Sequence, residues 1–405
     1  MNEGKVPMTS ELGYRPVDCD NHYYESVDAF TRHLDPAHSK RCVDWASFGK
    51  RKYPVIGGRV WHGVANPTFD PVSPAGAMHD YFRGNPDGKQ PWEFLTEREP
   101  IPSEYRDRDA RLSAMDRQGL GAVWLFPTLG MLFEEPLKHD PGAVTLTFSA
   151  FNRWLHEDWG FAHENRIFAA PYLSLADVDW ACDELEWVID EGARVIVMRP
   201  AVPVTATGPV NPFDERFDRF WTTVAAAEVT CVIHAGDSGQ SSNGWADDAF
   251  SGQFSGGWKP SIKSFAIERA AADFVITSVF HRMFDRFPDL RMASVENGSS
   301  YLRDAMKKLD STHRQMPGYF DEHPVDSLRR GWWINPFWED DVAEVIDLMG
   351  ADRVIFGSDW PHIEGMPQPL DYVSQLDLFD EDTTRRILRE NTAELLWPQG
   401  TGGMR

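Results

Sequence analysis

The chain has 405 residues, 42% hydrophobic and 25% charged, which suits one enlarged α/β domain rather than a minimal one. A formal charge of −23 argues against nucleic acid and anionic membrane as partners, since neither welcomes an acidic surface, but leaves room for a small anionic substrate beside a local cation. The four cysteines form no C-x-x-C pair, the N-terminus lacks an apolar signal segment, and no run of about 18 apolar residues occurs, so a cytoplasmic protein that spans no membrane is expected.

In chain order, V-D-C-D (17–20) opens as a buried strand. Residues 36–105 are rich in Gly, Pro, Trp and Tyr without sustained periodicity, which predicts a cap inserted after that strand. From residue 106 onward the pattern alternates. Helical spacing over 108–120 precedes a strand at 122–127, a helix at 143–160 a strand at 167–173, and a helix at 177–191 a strand at 194–198. A helix over 214–227 leads to strand 230–234, and a Gly/Ser-rich stretch at 236–262 reads as a lid loop. Helix 263–284, strand 290–295, helix 299–315, strand 331–335, helix 339–349 and strand 353–358 complete the cycle. Uninterrupted apolar strands alternating with helices imply a parallel sheet covered outside, and eight units favour a distorted (β/α)8 TIM barrel in a single domain spanning 1–405.

The chemistry sits at the predicted strand ends. V-D-C-D-N-H (17–22), C-V-I-H (231–234), S-V-E-N-G (294–298) and F-G-S-D-W-P-H (356–362) each run from apolar residues into a metal-binding side chain. The C-terminal ends of barrel strands converge on one face, so Asp20, His22, His234, Glu296 and Asp359 are expected to form one carboxylate-rich metal site. Asp20 and His22 are two apart and share one face of a strand. His362 and Glu25, three residues beyond Asp359 and His22, are further candidate ligands, whereas His281, late in a helix, reads as structural. Trp245, Trp258, Trp332, Trp333, Trp338 and Trp360 are candidates to wall an apolar substrate cavity, and Arg199, Arg282 and Lys259 to receive an anionic group.

In order and spacing these fragments resemble the amidohydrolase superfamily, in its branch of metal-dependent decarboxylases of aromatic and muconate-type acids. The landmarks are R-L-S-A-M-D-R-Q-G-L-G-A-V-W-L-F-P (111–127), F-D-R-F-P-D-L-R (284–291) and R-V-I-F-G-S-D-W-P (353–361). The resemblance implies that Asp20 and His22 stand at the first-strand H-x-H, His234 at the strand-five ligand and Asp359 at the strand-eight aspartate. Barrels of this branch are often dimers, so a homodimer is also implied. Three positions depart from the pattern: Asp20 and Glu296 replace histidines, and R-V-I-V-M-R (194–199) offers no lysine to carbamylate.

Oxygen-rich ligand sets with two histidines suit iron or manganese better than zinc, and carboxylates bridge the ions of dinuclear iron sites. The departures are similar to those of the non-heme diiron monooxygenases of platensimycin-type diterpenoid biosynthesis. The expected function is therefore hydroxylation of a bulky apolar substrate, such as a diterpenoid acyl thioester, by two Fe ions, O2 and an external electron donor. Glu296, His234 and Asp359 would then be catalytic. The alternative is one Zn or Mn ion in a hydrolase or non-oxidative decarboxylase of a carboxylic acid, with Glu296 as general base.

Overall fold

A computed structural model describes residues 12–239, 262–337 and 340–397. Strand β1 (Val17–Tyr23) is buried along its whole length. Three strands follow inside the expected cap: β2 (Val43–Phe48), β3 (Arg51–Ile56) and β4 (Arg59–Val60) pair antiparallel in sequence order. Gly49 turns β2 into β3 with φ of 64°, a left-handed value that glycine adopts without a Cβ clash. This sheet is not legible in the sequence, because its short strands are largely exposed or half-buried and bury only Val43, Pro54 and Ile56.

The remaining long strands are parallel. β5 (Ala122–Pro127) lies between β1 and β6 (Ile167–Ala169). β7 (Val195–Met198) is followed by a two-stranded hairpin, β8 (Val204–Thr205) with β9 (Gly208–Pro209). The second parallel sheet has the order β12-β11-β10-β7, with β10 (Thr230–His234), β11 (Arg291–Val295) and β12 (Trp332–Ile334). Isolated parallel bridges link the two sheets: Tyr172 with Val197, Ile334 with Val354, and Asn21 with Trp360. The predicted strand 353–358 is no regular ladder. It nevertheless bonds on both sides, Ile355 N donating to Ile334 O (2.9 Å) and Cys19 N to Phe356 O (2.8 Å).

Aspartate caps start the covering helices. Asp107, Asp140, Asp177 and Asp341 each accept a backbone N–H in the first turn of helices Arg108–Gln118, Pro141–Asp158, Val178–Asp190 and Val342–Met349. The helix expected over 263–284 breaks, because Arg282 adopts φ of 56° between Ala266–Phe280 and Met283–Arg286. Among the helices that the sequence pattern does not announce are Gly130–Leu137, with Pro136 inside it, and Pro324–Gly331. The core is one continuous cluster of both sheets and the inner helix faces. Most of the expected lid, from 240 to 261, lies outside the described residues.

Candidate metal centre

The ends of β1, β10 and β11 and the segment after Phe356 meet at one place. Ligand atoms of Asp20, His22, His234 and Glu296 all lie within 4.8 Å of one another, as do those of His22, Glu296, Asp359 and His362. His22 Nε2 stands 3.3 Å from Asp20 Oδ1, 3.3 Å from Asp359 Oδ1 and 3.7 Å from Glu296 Oε2. His234 Nε2 lies 3.3 Å from both Asp20 Oδ1 and Glu296 Oε2, and His362 Nδ1 2.7 Å from Asp359 Oδ1. The structure thus brings six of the seven anticipated ligands together.

Glu25, the seventh, is used elsewhere. Its Oε1 accepts from Leu129 N (2.8 Å) and Gly130 N (2.9 Å) at the start of helix Gly130–Leu137. A carboxylate is favoured at a helix N-terminus, and burial pushes Glu25 up to about 7. His281 is remote from the cluster, its Nε2 lying 3.1 Å from Asn211 Nδ2.

The sequence places these side chains through backbone strain and a buried polar base. Glu296 and Asp359 both sit at left-handed φ, 58° and 55°, an uncommon state for residues with a Cβ. Beneath them Asp18 accepts from Ser358 N (3.0 Å), Ser358 Oγ (2.6 Å), Asn21 Nδ2 (2.7 Å) and Asp20 N (3.1 Å), tying β1 to the segment that carries Asp359. Arg111, fully buried, donates to Asn21 Oδ1 (3.0 Å) and His22 O (2.6 Å) and lies 4.7 Å from the Trp360 ring centre. Gly357 passes so close that an added Cβ would lie 2.5 Å from Asp20 Cβ.

The donor set fits a cation. His234 Nδ1 lies 2.9 Å from Ala235 O, an acceptor only, so Nδ1 carries the proton and Nε2 turns a lone pair toward Asp20 and Glu296. Both nitrogens of His22, both carboxylate oxygens of Asp359 and Nδ1 of His362 are buried and meet no hydrogen-bond partner among the described residues. Lone pairs facing one another in a buried site repel unless a proton or metal ion sits among them. The carboxyls register this crowding. Burial, then the charges of Asp359 and Asp20, push Glu296 well up, and burial with the charge of Asp20 does the same to Asp359. For Asp20 burial also acts upward, but contacts from His22 and His234 overcome it and hold the group low. Burial and the neighbouring His362 push His22 down.

Above the cluster opens a cavity of about 250 Å³. His22, His234, Glu296 and His362 reach it, whereas Asp20 and Asp359 do not. Its walls are mainly apolar, including Val64, Phe69, Leu95, Met131, Leu132 and Ile267, with Arg98 and Glu364 as charged groups. The expected tryptophan wall is corrected. Trp332 donates to Ser278 Oγ, Trp333 packs under Arg353 and Trp360 over Arg111, all turned away from the cavity. Trp245, Trp258, Trp338 and Lys259 lie outside the described residues. Arg199 and Arg282 do not line it either. Arg199 is neutralised by Glu135 (2.6 Å) and Glu134 (3.5 Å), and Arg282 by Asp285 (2.9 Å) and Asp321 (2.6 Å). Arg98, which donates to Ser73 Oγ, was missed because it stands in a charged, aperiodic stretch of the segment expected to form a cap.

The family model described as amidohydrolase matches residues 17–396. The chain belongs to the amidohydrolase family. The chain is 39% identical to the crystal structure of an amidohydrolase from Mycobacterium avium subsp. paratuberculosis, with a TM-score of 0.89 over 96% of this chain and 99% of that one. A 5-carboxyvanillate decarboxylase from Novosphingobium aromaticivorans, solved with manganese and 3-methoxy-4-hydroxy-5-nitrobenzoic acid, aligns over 96% of this chain and 98% of its own, at a TM-score of 0.59 and 13% identity. A 2-amino-3-carboxymuconate-6-semialdehyde decarboxylase from Dictyostelium discoideum is 23% identical over 151 residues, 34% of this chain and 39% of that relative's length. The mixed α/β fold is thus of the TIM-barrel type found in amidohydrolases.

These findings overturn the expected diiron monooxygenase. The relatives with a named reaction are decarboxylases, and the metal named with one of them is manganese, not a pair of irons. Decarboxylation moves an electron pair within the substrate, so it calls for neither O2 nor an electron donor. The substitutions Asp20 and Glu296 misled because a carboxylate-rich set is equally suited to manganese.

Proposed function

We propose that this protein is a non-oxidative decarboxylase of a bulky apolar carboxylic acid, dependent on one divalent ion of the manganese class. The observation that carries the reading is the set of unpaired ligand atoms at the floor of an apolar cavity. Asp20, His22, His234 and Asp359 would hold the ion, which when bound polarises the substrate carboxylate as a Lewis acid. The decarboxylase relatives support the same class of reaction.

The protein's own part is orientation and proton supply. Apolar walls hold the substrate body and keep water from the reacting carbon. Arg98 at the wall pairs with a second anionic group of the substrate. Of the cluster's three carboxyls, Glu296 faces the cavity while Asp20 and Asp359 lie below it, so Glu296 is the one in reach of substrate. As the C–C bond breaks, CO2 leaves and its bonding pair remains on carbon. Glu296 delivers the proton that this carbon takes up and is reprotonated from solvent.

Eight β/α units closing into one barrel over a single domain fit this placement. The bridges Tyr172–Val197, Ile334–Val354 and Asn21–Trp360 support closure, and Val64, Phe69, Leu95 and Arg98 in the cavity wall support 36–105 as its cap.

The test is a panel of apolar and aromatic carboxylic acids incubated under argon with manganese-loaded protein, read as CO2 release. Release that stops on chelation and returns with manganese is expected. Turnover that appears only in air, with O2 consumed, refutes the reading.

A further inference from the structure

The hydroxyl of Thr128 settles which nitrogen of His362 faces the cluster. Thr128 follows β5 and lines the cavity. Its Oγ1 donates its single proton to Tyr23 O at 2.8 Å, and that carbonyl can only accept. His362 Nε2 lies 3.0 Å from the same oxygen. With the hydroxyl proton committed, this second contact is a hydrogen bond only if Nε2 carries a proton and donates it.

The consequence falls on the other ring nitrogen. A neutral His362 protonated at Nε2 bears its lone pair on Nδ1, and Nδ1 is buried, 2.7 Å from Asp359 Oδ1 and without a hydrogen-bond partner among the described residues. A second proton on Nδ1 would place an imidazolium against the His22 ring, stacked at 3.8 Å between centroids with 27° between planes. A metal ion shared with Asp359 removes the repulsion between the two facing lone pairs without charging the imidazole.

We propose that Thr128 is a positioning residue that locks His362 in the Nε2–H tautomer, so that Nδ1 serves as a further metal-binding atom beside Asp359. The inference rests on the reading of the cluster as a divalent-metal site. Residues that fix a ligand histidine through its far nitrogen change metal affinity about 10–100-fold when removed.

The experiment measures manganese dissociation constants by competition with a fluorescent chelator, for wild type, Thr128→Val and Thr128→Ser, alongside 15N shifts of His362 in the metal-free wild type. Thr128→Val should weaken manganese binding about 10–100-fold. Thr128→Ser keeps the hydroxyl and should stay within about threefold of wild type, and the shifts should report a protonated Nε2. Equal affinity in Thr128→Val and wild type overturns the role of Thr128 while leaving the metal site intact. A His362 protonated on Nδ1 also overturns it, even where Thr128→Val does not fold. A wild type that binds no divalent ion overturns the metal site and this inference together.

Discussion

Asp18 is the most exacting test of how the site is held. It is fully buried and accepts four hydrogen bonds, two from backbone N–H groups, Ser358 N and Asp20 N. In Asp18→Ala, Ser358 Oγ can turn to Asp20 O at 3.5 Å, and Asn21 Nδ2 retains Asp20 O and Ser358 Oγ at 3.3 Å. Both backbone donors are left without the acceptor they had. Each stranded buried donor costs about 1–3 kcal/mol, so the loss should be about 2–6 kcal/mol. Asp18→Asn keeps one acceptor oxygen for those donors but sets an amide against the Asn21 amide, so about 1–2 kcal/mol is expected. Urea denaturation of the three proteins measures this, the midpoint shifting at an unchanged slope. Because Asp18 ties β1 to the Asp359 segment, Asp18→Ala should also weaken manganese binding. A loss below about 1 kcal/mol for Asp18→Ala, or a larger loss for Asp18→Asn, would show that Asp18 is not the tie.

Gly357→Ala drives a Cβ to 2.5 Å from Asp20 Cβ and 2.9 Å from Asn335 Nδ2, so manganese affinity should fall at least about tenfold by chelator competition, an outcome absent if Asp20 is not a ligand. Arg98→Ala should raise KM for an acid with a second anionic group while leaving kcat within about threefold, and an unchanged KM would place that group elsewhere. Chelating a resident ion held at 100 times its Kd removes about 2.7 kcal/mol, or about 3 °C of Tm for a chain this long, which scanning calorimetry with and without added manganese resolves. Burial, then the charge of Glu135, pushes Asp237 up to about 6. A carboxyl raised in the fold contributes stability that is complete below its unfolded value near 4 and lost as pH rises through about 6. Asp237→Asn should therefore gain on wild type by on the order of 2–3 kcal/mol between pH 4 and 6, and parallel stability curves would contradict this.

Much of the site was legible because its geometry follows from strand ends. Asp20, His22, His234 and Glu296 each close a run of apolar residues, and parallel strands carry such ends to one face. Asp359 and His362 were legible through G-S-D-W-P-H, although their segment makes bridges rather than a ladder. Glu25 was not separable from the ligands, since its partners, Leu129 N and Gly130 N, belong to a helix whose internal proline hides it. Tryptophans at predicted strand ends misled for a similar reason. Trp360 follows Asp359, yet its ring turns outward onto Arg111, a partner 249 positions away in sequence that no local pattern announces. The polar base of Asp18, Asn21 and Arg111 escaped notice because buried polar residues resemble surface ones until their partners are known.

The reaction itself separates the two chemistries most directly. An acid that the manganese-loaded protein turns over should be run under argon in D2O, and the product examined by mass spectrometry and NMR. One deuterium is expected on the carbon that lost CO2, at a rate unchanged by admitting air. A product that gains a hydroxyl oxygen from O2, or that forms only in air, would contradict it.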